Sequence, residues 1–274
     1  MDRDEWPDLF IAGEWMPVCI LKNVNGRFNK SLLEGTRGWW FSMEGADMDD
    51  DGDMDFVAGN LGLNSRYQIK PGKTFDVYSG DFNSNGGSDI VLSYYQDEKQ
   101  YPLRGRSCFV SQNPWVALKF PTYASFGSAT VSDIYTNDVL EKSLHLQAET
   151  FASCYFENTG NGNFVMHPLP NEAQLSSING IILEDFDQDG NRDILAAGNL
   201  FNMEVVTPRN DAGVGIFLKG NGQGNFTVVP HALSGFFVPG DVKALSLIHL
   251  NGAEQGKAVL AGNNNDKLQI FRAR

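Results

Sequence analysis

Three acidic segments repeat one spacing of oxygen-bearing side chains, and this spacing constrains the fold more than any other feature. Each segment reads D-x-[DN]-x-[DN]-G-x-x-D and is followed by a short apolar run. Side-chain oxygens at positions 1, 3 and 5 of a tight turn converge on one point, the glycine at position 6 permits the turn, and the aspartate at position 9 closes the site. The pattern therefore predicts these metal ligands: Asp47, Asp49, Asp51, Asp55, Asp81, Asn83, Asn85, Asp89, Asp185, Asp187, Asp189 and Asp193.

The chemistry of these ligands favours calcium. Carboxylate and amide oxygens without histidine or cysteine suit a hard cation, and Ca²⁺ accepts about six to eight ligands in flexible geometry where Mg²⁺ does not. Without the ten carboxylates of the pattern, the net charge would be −3 in place of −13, so the acidity belongs mostly to the loops. Carboxylates placed this close repel one another unless a cation lies between them. We expect Ca²⁺ at all three loops, the alternative being acidic surface turns without metal.

The first half of the pattern also occurs in EF-hand loops, which end in a glutamate at position 12 and lie between helices. Position 12 is occupied here by Ala58, Leu92 and Ala196, and the residues after position 9 are typical of short strands. The sequence therefore predicts loops between two β-strands. The loops beginning at Asp47 and Asp185 offer four carboxylates each and the loop at Asp81 offers two, so we predict that the Asp81 loop is the weakest site.

A truncated fourth copy is predicted at the start of the chain. Asp8, before the apolar run LFIAG, aligns with position 9, and Asp4 and Asp2 align with positions 5 and 3. Position 1 would lie before Met1, so we interpret the chain as beginning inside a repeat.

A second repeated element is a strand, an Asn/Gly turn and a phenylalanine, at Phe28, Phe164 and Phe226. Asn-Gly turns between apolar runs indicate hairpins. One whole unit then reads strand, acidic loop, strand and hairpin, and its strands are predicted at 178–184, 193–198, 214–219 and 225–229. Four antiparallel strands in about 50 residues is the size of a propeller blade. The predicted fold class is all-β, a single β-propeller domain over 1–274 with about five blade-like units, part of a larger or incomplete ring.

The segment 96–150 departs from this pattern. It shows no strand alternation and reads as partly helical, so it is predicted to be an insertion. Only 34 residues separate Asp55 from Asp89, which is short for a full blade, so the first two loops are expected to share one blade.

The loops and the strands after them resemble FG-GAP/VCBS repeats, as in the integrin α-chain propeller. The phrases GWWFSMEGADMDDDGDMDFVAGNLGLNSRY and LPNEAQLSSINGIILEDFDQDGNRDILAAGN are similar to large Bacteroidota repeat proteins with ASPIC/UnbV-type domains. The resemblance implies Ca²⁺ held between two strands of a blade, and export to the periplasm, the cell surface or the extracellular space. The start MDRDEWPDLF has no signal-peptide pattern. We therefore expect the chain to be a fragment of an exported protein, with further blades as possible neighbours.

Composition and motifs narrow the function. A net charge of −13 argues against nucleic acid as a partner. The sequence has no apolar run of about 18 residues, so it predicts no membrane span. No H-E-x-x-H, G-x-S-x-G or P-loop motif is present. The sequence favours a non-catalytic module with structural Ca²⁺ that binds a protein or glycan partner in adhesion. The alternatives are a calcium-dependent propeller enzyme acting on polysaccharide, a lyase or hydrolase, and a purely structural segment of a larger propeller.

Three smaller groups of side chains have two interpretations each. The first group is aromatic and could form a sugar-stacking surface or pack between blades; its members are Trp15, Trp39, Trp40, Tyr94, Tyr95 and Trp115. The second group is basic and could bind an anionic sugar near Tyr101 or belong to a solvated loop; its members are Lys99, Arg104 and Arg106. His249 is expected on a strand as a structural histidine rather than a base, and Cys19 and Cys154 are expected to be buried and inert.

Overall fold

The computed structural model describes residues 6–160, 162–204, 206–250 and 256–273, and within these ranges the chain is mostly β. Its strands form five antiparallel sheets of three or four strands, which we label A to E in the order in which each sheet first appears in the chain. The positions Asp2 and Asp4 of the predicted fourth loop lie outside the described residues. In the described part of the chain, no helix is long and apolar enough to cross a membrane.

Sheet D shows the repeat unit most plainly. Its strands follow chain order and are β14 (Gly180–Glu184), β15 (Asp193–Ala197), β16 (Ile216–Gly220) and β17 (Phe226–Val229). Each differs by no more than two residues at either end from the strand predicted there, so this part of the prediction is confirmed. The segment GNGQG at Gly220 forms the turn between β16 and β17, as its hairpin pattern predicts.

Sheet B has the same arrangement, but its strands are not continuous in the chain. They are β6 (Ser42–Ala46), β7 (Asp55–Gly59), β12 (Cys154–Asn158) and β13 (Phe164–Pro168). The inner pair joins β7 to β12, with Phe56 opposite Phe156. The chain therefore leaves sheet B after two strands, builds other elements and returns to complete it.

By its internal contacts, the chain divides into two compact units. The main unit consists of Met1–Glu34, Trp39–Arg66 and Phe151–Arg274, and the inserted unit consists of Gly35–Gly38 and Tyr67–Thr150. The single domain predicted over 1–274 is thus divided, and the predicted insertion 96–150 covers only the later part of the inserted unit.

The inserted unit contains its own sheet, sheet C. Its strands are β8 (Phe75–Gly80), β9 (Asp89–Gln96), β10 (Lys99–Pro102) and β11 (Leu144–Ala148), and they lie side by side in the order β10-β9-β8-β11. The loop that begins at Asp81 joins β8 to β9, whereas the loop that begins at Asp47 joins β6 to β7 of sheet B. The expectation that these two loops share one blade is therefore wrong, because the two loops belong to different sheets.

Five short helices of the inserted unit confirm the predicted helical character of this segment. They are α1 (Arg106–Gln112), α2 (Val116–Lys119), α3 (Tyr123–Gly127), α4 (Val131–Ile134) and α5 (Asn137–Lys142). Capping boxes start two of them, at Thr122 and Thr130, where each threonine side chain accepts the amide of the third helical residue. Their apolar side chains, among them Phe109 and Ile134, form one core with Tyr78 and Val91 of sheet C.

Two three-stranded sheets complete the main unit. Sheet A consists of β1 (Leu9–Ile11), β3 (Cys19–Val24) and β4 (Arg27–Leu32), and sheet E of β18 (Val242–Leu250), β19 (Gly256–Asn263) and β20 (Gln269–Ala273). The remaining elements are short: β2 (Glu14–Met16), β5 (Gly38–Trp39), a 3₁₀ helix (Asn171–Gln174) and α6 (His231–Ser234). His249 lies on β18, as expected.

The sheets of the main unit pack face to face in the order A, B, D, E. Successive residues of a strand point to opposite faces, and β15 uses both of them. Ile194 and Ala196 enter a core shared with sheet B, whereas Leu195 and Ala197 enter a core shared with sheet E. Burial on both faces explains why β15 reads as a continuous apolar run rather than an alternating one.

The same packing accounts for the aromatic and sulfur side chains of sheets A and B. Trp40 is buried in the core between these sheets, and the half-buried Trp39 meets Trp15 and Phe151 edge to face. These tryptophans therefore pack inside the main unit, which is the second of their two interpretations. Cys19 and Cys154 are buried as predicted, and burial raises the pKa of the Cys154 thiol to about 12, which keeps it protonated at neutral pH.

The basic group near Tyr101 is not simply a solvated loop. Arg104 is only 9% exposed and its guanidinium donates to the hydroxyl of Tyr67. Arg106 donates to the Phe120 carbonyl at 2.7 Å and lies over the ring of Tyr123. Both arginines therefore hold parts of the inserted unit together, which leaves only Lys99 exposed.

Candidate metal centre

The three acidic loops share one backbone conformation. Each connects two neighbouring antiparallel strands, and each has positive φ at positions 4 and 6 of the pattern. Position 4 is Asp50, Ser84 or Gln188, with φ of 61°, 59° and 62°. Position 6 is always glycine, with φ of 84°, 84° and 94°. The φ at position 6 lies beyond the left-handed region near 60° that position 4 adopts, so glycine avoids a cost that a Cβ would bring there.

Hydrogen bonds within each loop aim the first aspartate inward. The amide of the position-6 glycine donates to this carboxylate, at 2.9 Å for Gly52 and Asp47 and at 3.0 Å for Gly190 and Asp185. The Asp81 loop repeats the bond at 2.8 Å. A loop with these bonds presents its side-chain oxygens without rearrangement.

The aspartate at position 9 is fixed from two sides. Asp55 accepts the amide of Met48 at 2.9 Å on one oxygen and the amide of Asn158 at 2.8 Å on the other. Asp193 accepts the amides of Phe186 and Gly220 in the same way, each at 3.0 Å. Asn158 and Gly220 end the third strand of their sheets, so three strands converge on each of these carboxylates.

Two loops of the main unit bring three carboxylates together. Oxygens of Asp47, Asp49 and Asp55 lie within 4.8 Å of one another, and so do oxygens of Asp185, Asp187 and Asp193. Asp51 and Asp189 lie outside these two groups, and one oxygen of each accepts the amide two residues later, at 2.7 and 2.9 Å. Their roles as ligands stay predictions.

Burial opposes the ionised form of these groups. Desolvation is the main cause that raises the pKa of Asp55, Asp49 and Asp193 above its ordinary value, and the charge of Asp55 adds to the shift of Asp49. Each carboxylate is therefore held in a place where its negative charge lacks enough compensation. A bound cation would supply that compensation.

The first loop also contains a polar atom that has no partner. Oδ1 of Asp47 is buried without a hydrogen bond. Tyr155, a β12 side chain that is 1% exposed, lies against Asp55, and burial together with the charges of Asp55 and Asp49 raises the pKa of its hydroxyl. Buried polar groups without partners are rare in folded proteins, so Oδ1 of Asp47 fits the presence of an ion among the carboxylates. Asp47, Asp49 and Asp55 could hold it.

In the third loop a lysine already lies among the carboxylates. The ammonium of Lys219, on β16, pairs with Asp187 and with Asp189, the latter at 2.8 Å. These bonds raise the pKa of Lys219, and its bond to Asp189 is the main cause that lowers the pKa of that carboxyl. The equivalent residue beside the first loop is Glu157, because Leu218 and Phe156 occupy matching registers. The two loops thus have the same carboxylates but differ by a full reversal of charge at one neighbouring position.

The loop of the inserted unit has the same turn and fewer charges. Phe82 donates to Asp89 at 3.2 Å, and Asn85 donates to both Asp81 and Asn83 at 3.0 Å. The amide of Gly86 is the main cause that lowers the pKa of Asp81. The prediction that this loop binds most weakly stays a prediction.

The truncated copy at the start of the chain keeps the position-9 contact. Asp8 accepts the amide of Asn23 at 2.7 Å, as Asp55 accepts that of Asn158. Asn23 also accepts the amide of Gly26 at 2.9 Å, which matches the bond from Gly160 to Asn158. The alignment of Asp8 with position 9, made from spacing alone, thus has a structural counterpart.

Sequence reasoning missed the side chains that surround the loops. Tyr155, Glu157 and Lys219 lie on the third strand of their sheets, far in sequence from the aspartates they approach. The one available signal was the matched hairpin phrases CYFENTGNGNF and GIFLKGNGQGNF, which place Glu157 and Lys219 at the same position.

Comparison with known proteins supports the repeat. The FG-GAP-like repeat family matches residues 1–58, a segment that contains sheet A and the first acidic loop. A comparison with curated proteins finds no match for the chain. The matched part therefore carries an FG-GAP-like repeat, and the third loop repeats its structural features.

Proposed function

We propose that the chain is a calcium-binding repeat module of an exported or cell-surface protein, in which Ca²⁺ is structural. The observation that carries this proposal is the first loop, where three carboxylates converge and Oδ1 of Asp47 is buried without a hydrogen bond. Oxygen ligands alone, in a turn shaped by hydrogen bonds, suit Ca²⁺ best among common cations. The metal would compensate the charge of the loop and hold together the strands that meet at Asp55.

We further propose that the sheets are blades of a β-propeller. In its support, the first strands of sheets B, D and E lie side by side, with β14 in contact with both β6 and β18. A propeller places the first strands of its blades side by side around its axis in this way. Further blades would come from a longer chain or from a partner.

The module would act by binding a protein or glycan partner in adhesion. The match to the FG-GAP-like repeat and the resemblance to integrin α-chain repeats support this role and an extracellular or periplasmic setting. The alternative, an enzyme acting on polysaccharide, predicts turnover on a polysaccharide panel, and the module predicts none.

Calorimetric titration with CaCl₂ tests the metal site. We expect saturable binding, and we expect the Asp47→Asn variant to lose one site because the substitution removes a converging carboxylate. Asp50→Asn is the matched control, since Asp50 lies in the same loop at positive φ, where asparagine is tolerated, but outside the carboxylate group. Absence of binding to the unaltered protein, or equal loss in both variants, would contradict the proposal.

Loss of the tightest site in Asp89→Ala would contradict the predicted order of the sites.

A further inference from the structure

A second polar site lies in the inserted unit, away from the acidic loops. A cavity of about 340 Å³ is lined there by side chains of β8, β10 and β11 and of the α4–α5 segment. We propose that this cavity binds a neutral sugar through His145, whose ring is oriented by the buried carboxylate of Asp76. The inference names a ligand for the partner-binding part of the proposed function and rests on that part, but it does not require calcium.

Asp76 is the unusual group of this site. Its side chain is fully buried, and its Oδ2 accepts hydrogen bonds from His145 at 2.8 Å, Gln100 at 2.9 Å and Gln147 at 3.3 Å. Its Oδ1 is buried without a partner. Among the described residues no lysine or arginine forms an ion pair with Asp76, and a buried carboxylate so placed costs stability that a neutral side chain in a strand would not. A buried polar atom that lacks a partner calls for an explanation, and the orientation of a ligand-binding histidine supplies one.

The contact with Asp76 determines which atom His145 offers to a ligand. Because Nε2 is bonded to the carboxylate, Nδ1 is the free ring nitrogen, and it makes no hydrogen bond with any described residue. The ring stacks on Tyr78, with centroids 4.2 Å apart and an angle of 6° between planes, so it cannot turn freely. The side chain of His145 is 36% exposed and is therefore reachable from solvent.

The rest of the lining indicates the chemistry of the ligand. The amide of Asn137 and the carboxylate of Glu141 form no hydrogen bond with described residues, and the hydroxyls of Ser132 and Ser143 lie in the same wall. Among the residues that the structure describes, no lysine or arginine lines the cavity. This lining disfavours phosphate, sulfate and acidic sugars, whereas sugar hydroxyl groups, which both donate and accept, match the amide of Asn137, the carboxylate of Glu141 and Nδ1 of His145. The volume is at the small end of ligand sites, which suits one or two sugar rings.

The test is a titration of the whole chain with neutral monosaccharides and disaccharides, followed by calorimetry and by NMR of the histidine ring nitrogens. We expect at least one sugar to bind saturably and to shift the His145 signals. Glu141→Gln keeps the shape of an exposed side chain, and His145→Ala removes the ring; each is expected to weaken binding about tenfold or more. His249→Ala, on an exposed position of β18, is the matched control and is expected to bind as the unaltered protein does.

Asp76→Asn tests the positioning role, because it is expected to change the tautomer of His145 seen in the ring-nitrogen signals as well as the affinity. If no neutral sugar binds, if inorganic phosphate or sulfate binds in its place, or if His145→Ala and His249→Ala bind equally, the proposal is overturned. Calcium titration of the same samples separates this outcome from a failure of the acidic loops.

Discussion

At the scale of single residues, the first and third loops have the same motif but differ in the side chain that lies next to each of them. The first and third loops carry identical carboxylates at positions 1, 3, 5 and 9. Glu157 adjoins the first loop and is paired with His167 at 2.8 Å, whereas Lys219 places its ammonium among the carboxylates of the third. A cation that binds the third loop has to displace Lys219, so we expect the first loop to bind more tightly.

The substitution Lys219→Met tests this difference. We expect it to raise the calcium affinity of the third loop by about tenfold, because a competing charge is removed while much of the apolar stem is kept. Lys243→Met is the matched control: Lys243 is 42% exposed, as Lys219 is, and pairs with Asp241 outside the loops. Calorimetry measures both. Unchanged or weaker binding in Lys219→Met would show that the lysine does not compete with the ion.

At the scale of elements, what the sequence predicted correctly is local. The strands of sheet D follow from apolar runs and Asn/Gly turns that lie within about 50 consecutive residues. The loop turns follow from the spacing of Asp, Asn and Gly within nine positions. The hairpin phenylalanines Phe164 and Phe226 begin strands β13 and β17, as the repeat predicts, and Phe28 lies one residue into β4.

What could not be predicted is non-local. The pairing of β7 with β12 joins residues about a hundred positions apart, and no short-range pattern specifies it. For this reason the predicted insertion begins only at residue 96, inside the inserted unit, and the Asp81 loop was expected in the blade of the Asp47 loop. The dyad of His145 and Asp76 was missed for the same reason, since it joins two strands 69 residues apart.

The turn glycines give an element-scale prediction. Gly190→Ala is expected to destabilise the main unit by about 1 kcal/mol and to weaken the third loop, because alanine disfavours a φ of 94°. No atom lies within 4 Å of the added Cβ, so the cost is conformational rather than steric.

Gly262→Ala is the control for this substitution. Gly262 lies on β19 of the same unit without positive φ, and an added Cβ would meet the Ala244 carbonyl at an ordinary 3.7 Å. Denaturant unfolding of the calcium-free proteins measures both variants. If the two variants unfolded with equal free energies, the positive φ at position 190 would not be the reason for the glycine there.

At the scale of the whole molecule, packed sheets give the main unit its core, and sheets B and D contribute to a core on both of their faces. Each interface between sheets combines side chains of both: Phe10 of sheet A stacks on Phe56 of sheet B at 4.0 Å, and Leu218 of sheet D is fully buried against sheet B. The acidic loops join the first and second strands of sheets B and D. A cation at a loop would therefore strengthen the edge of a sheet on which the neighbouring interfaces depend.

Thermal unfolding with millimolar CaCl₂ or with a chelator tests most directly whether the acidic loops hold Ca²⁺ and whether the ion stabilises the fold. A ligand that binds only the folded state stabilises it by roughly 2.7 kcal/mol at a hundredfold excess over its Kd. We predict a melting temperature several degrees higher with calcium, and little shift in an Asp47→Asn, Asp185→Asn double variant. Equal melting temperatures with calcium and with chelator would contradict the account.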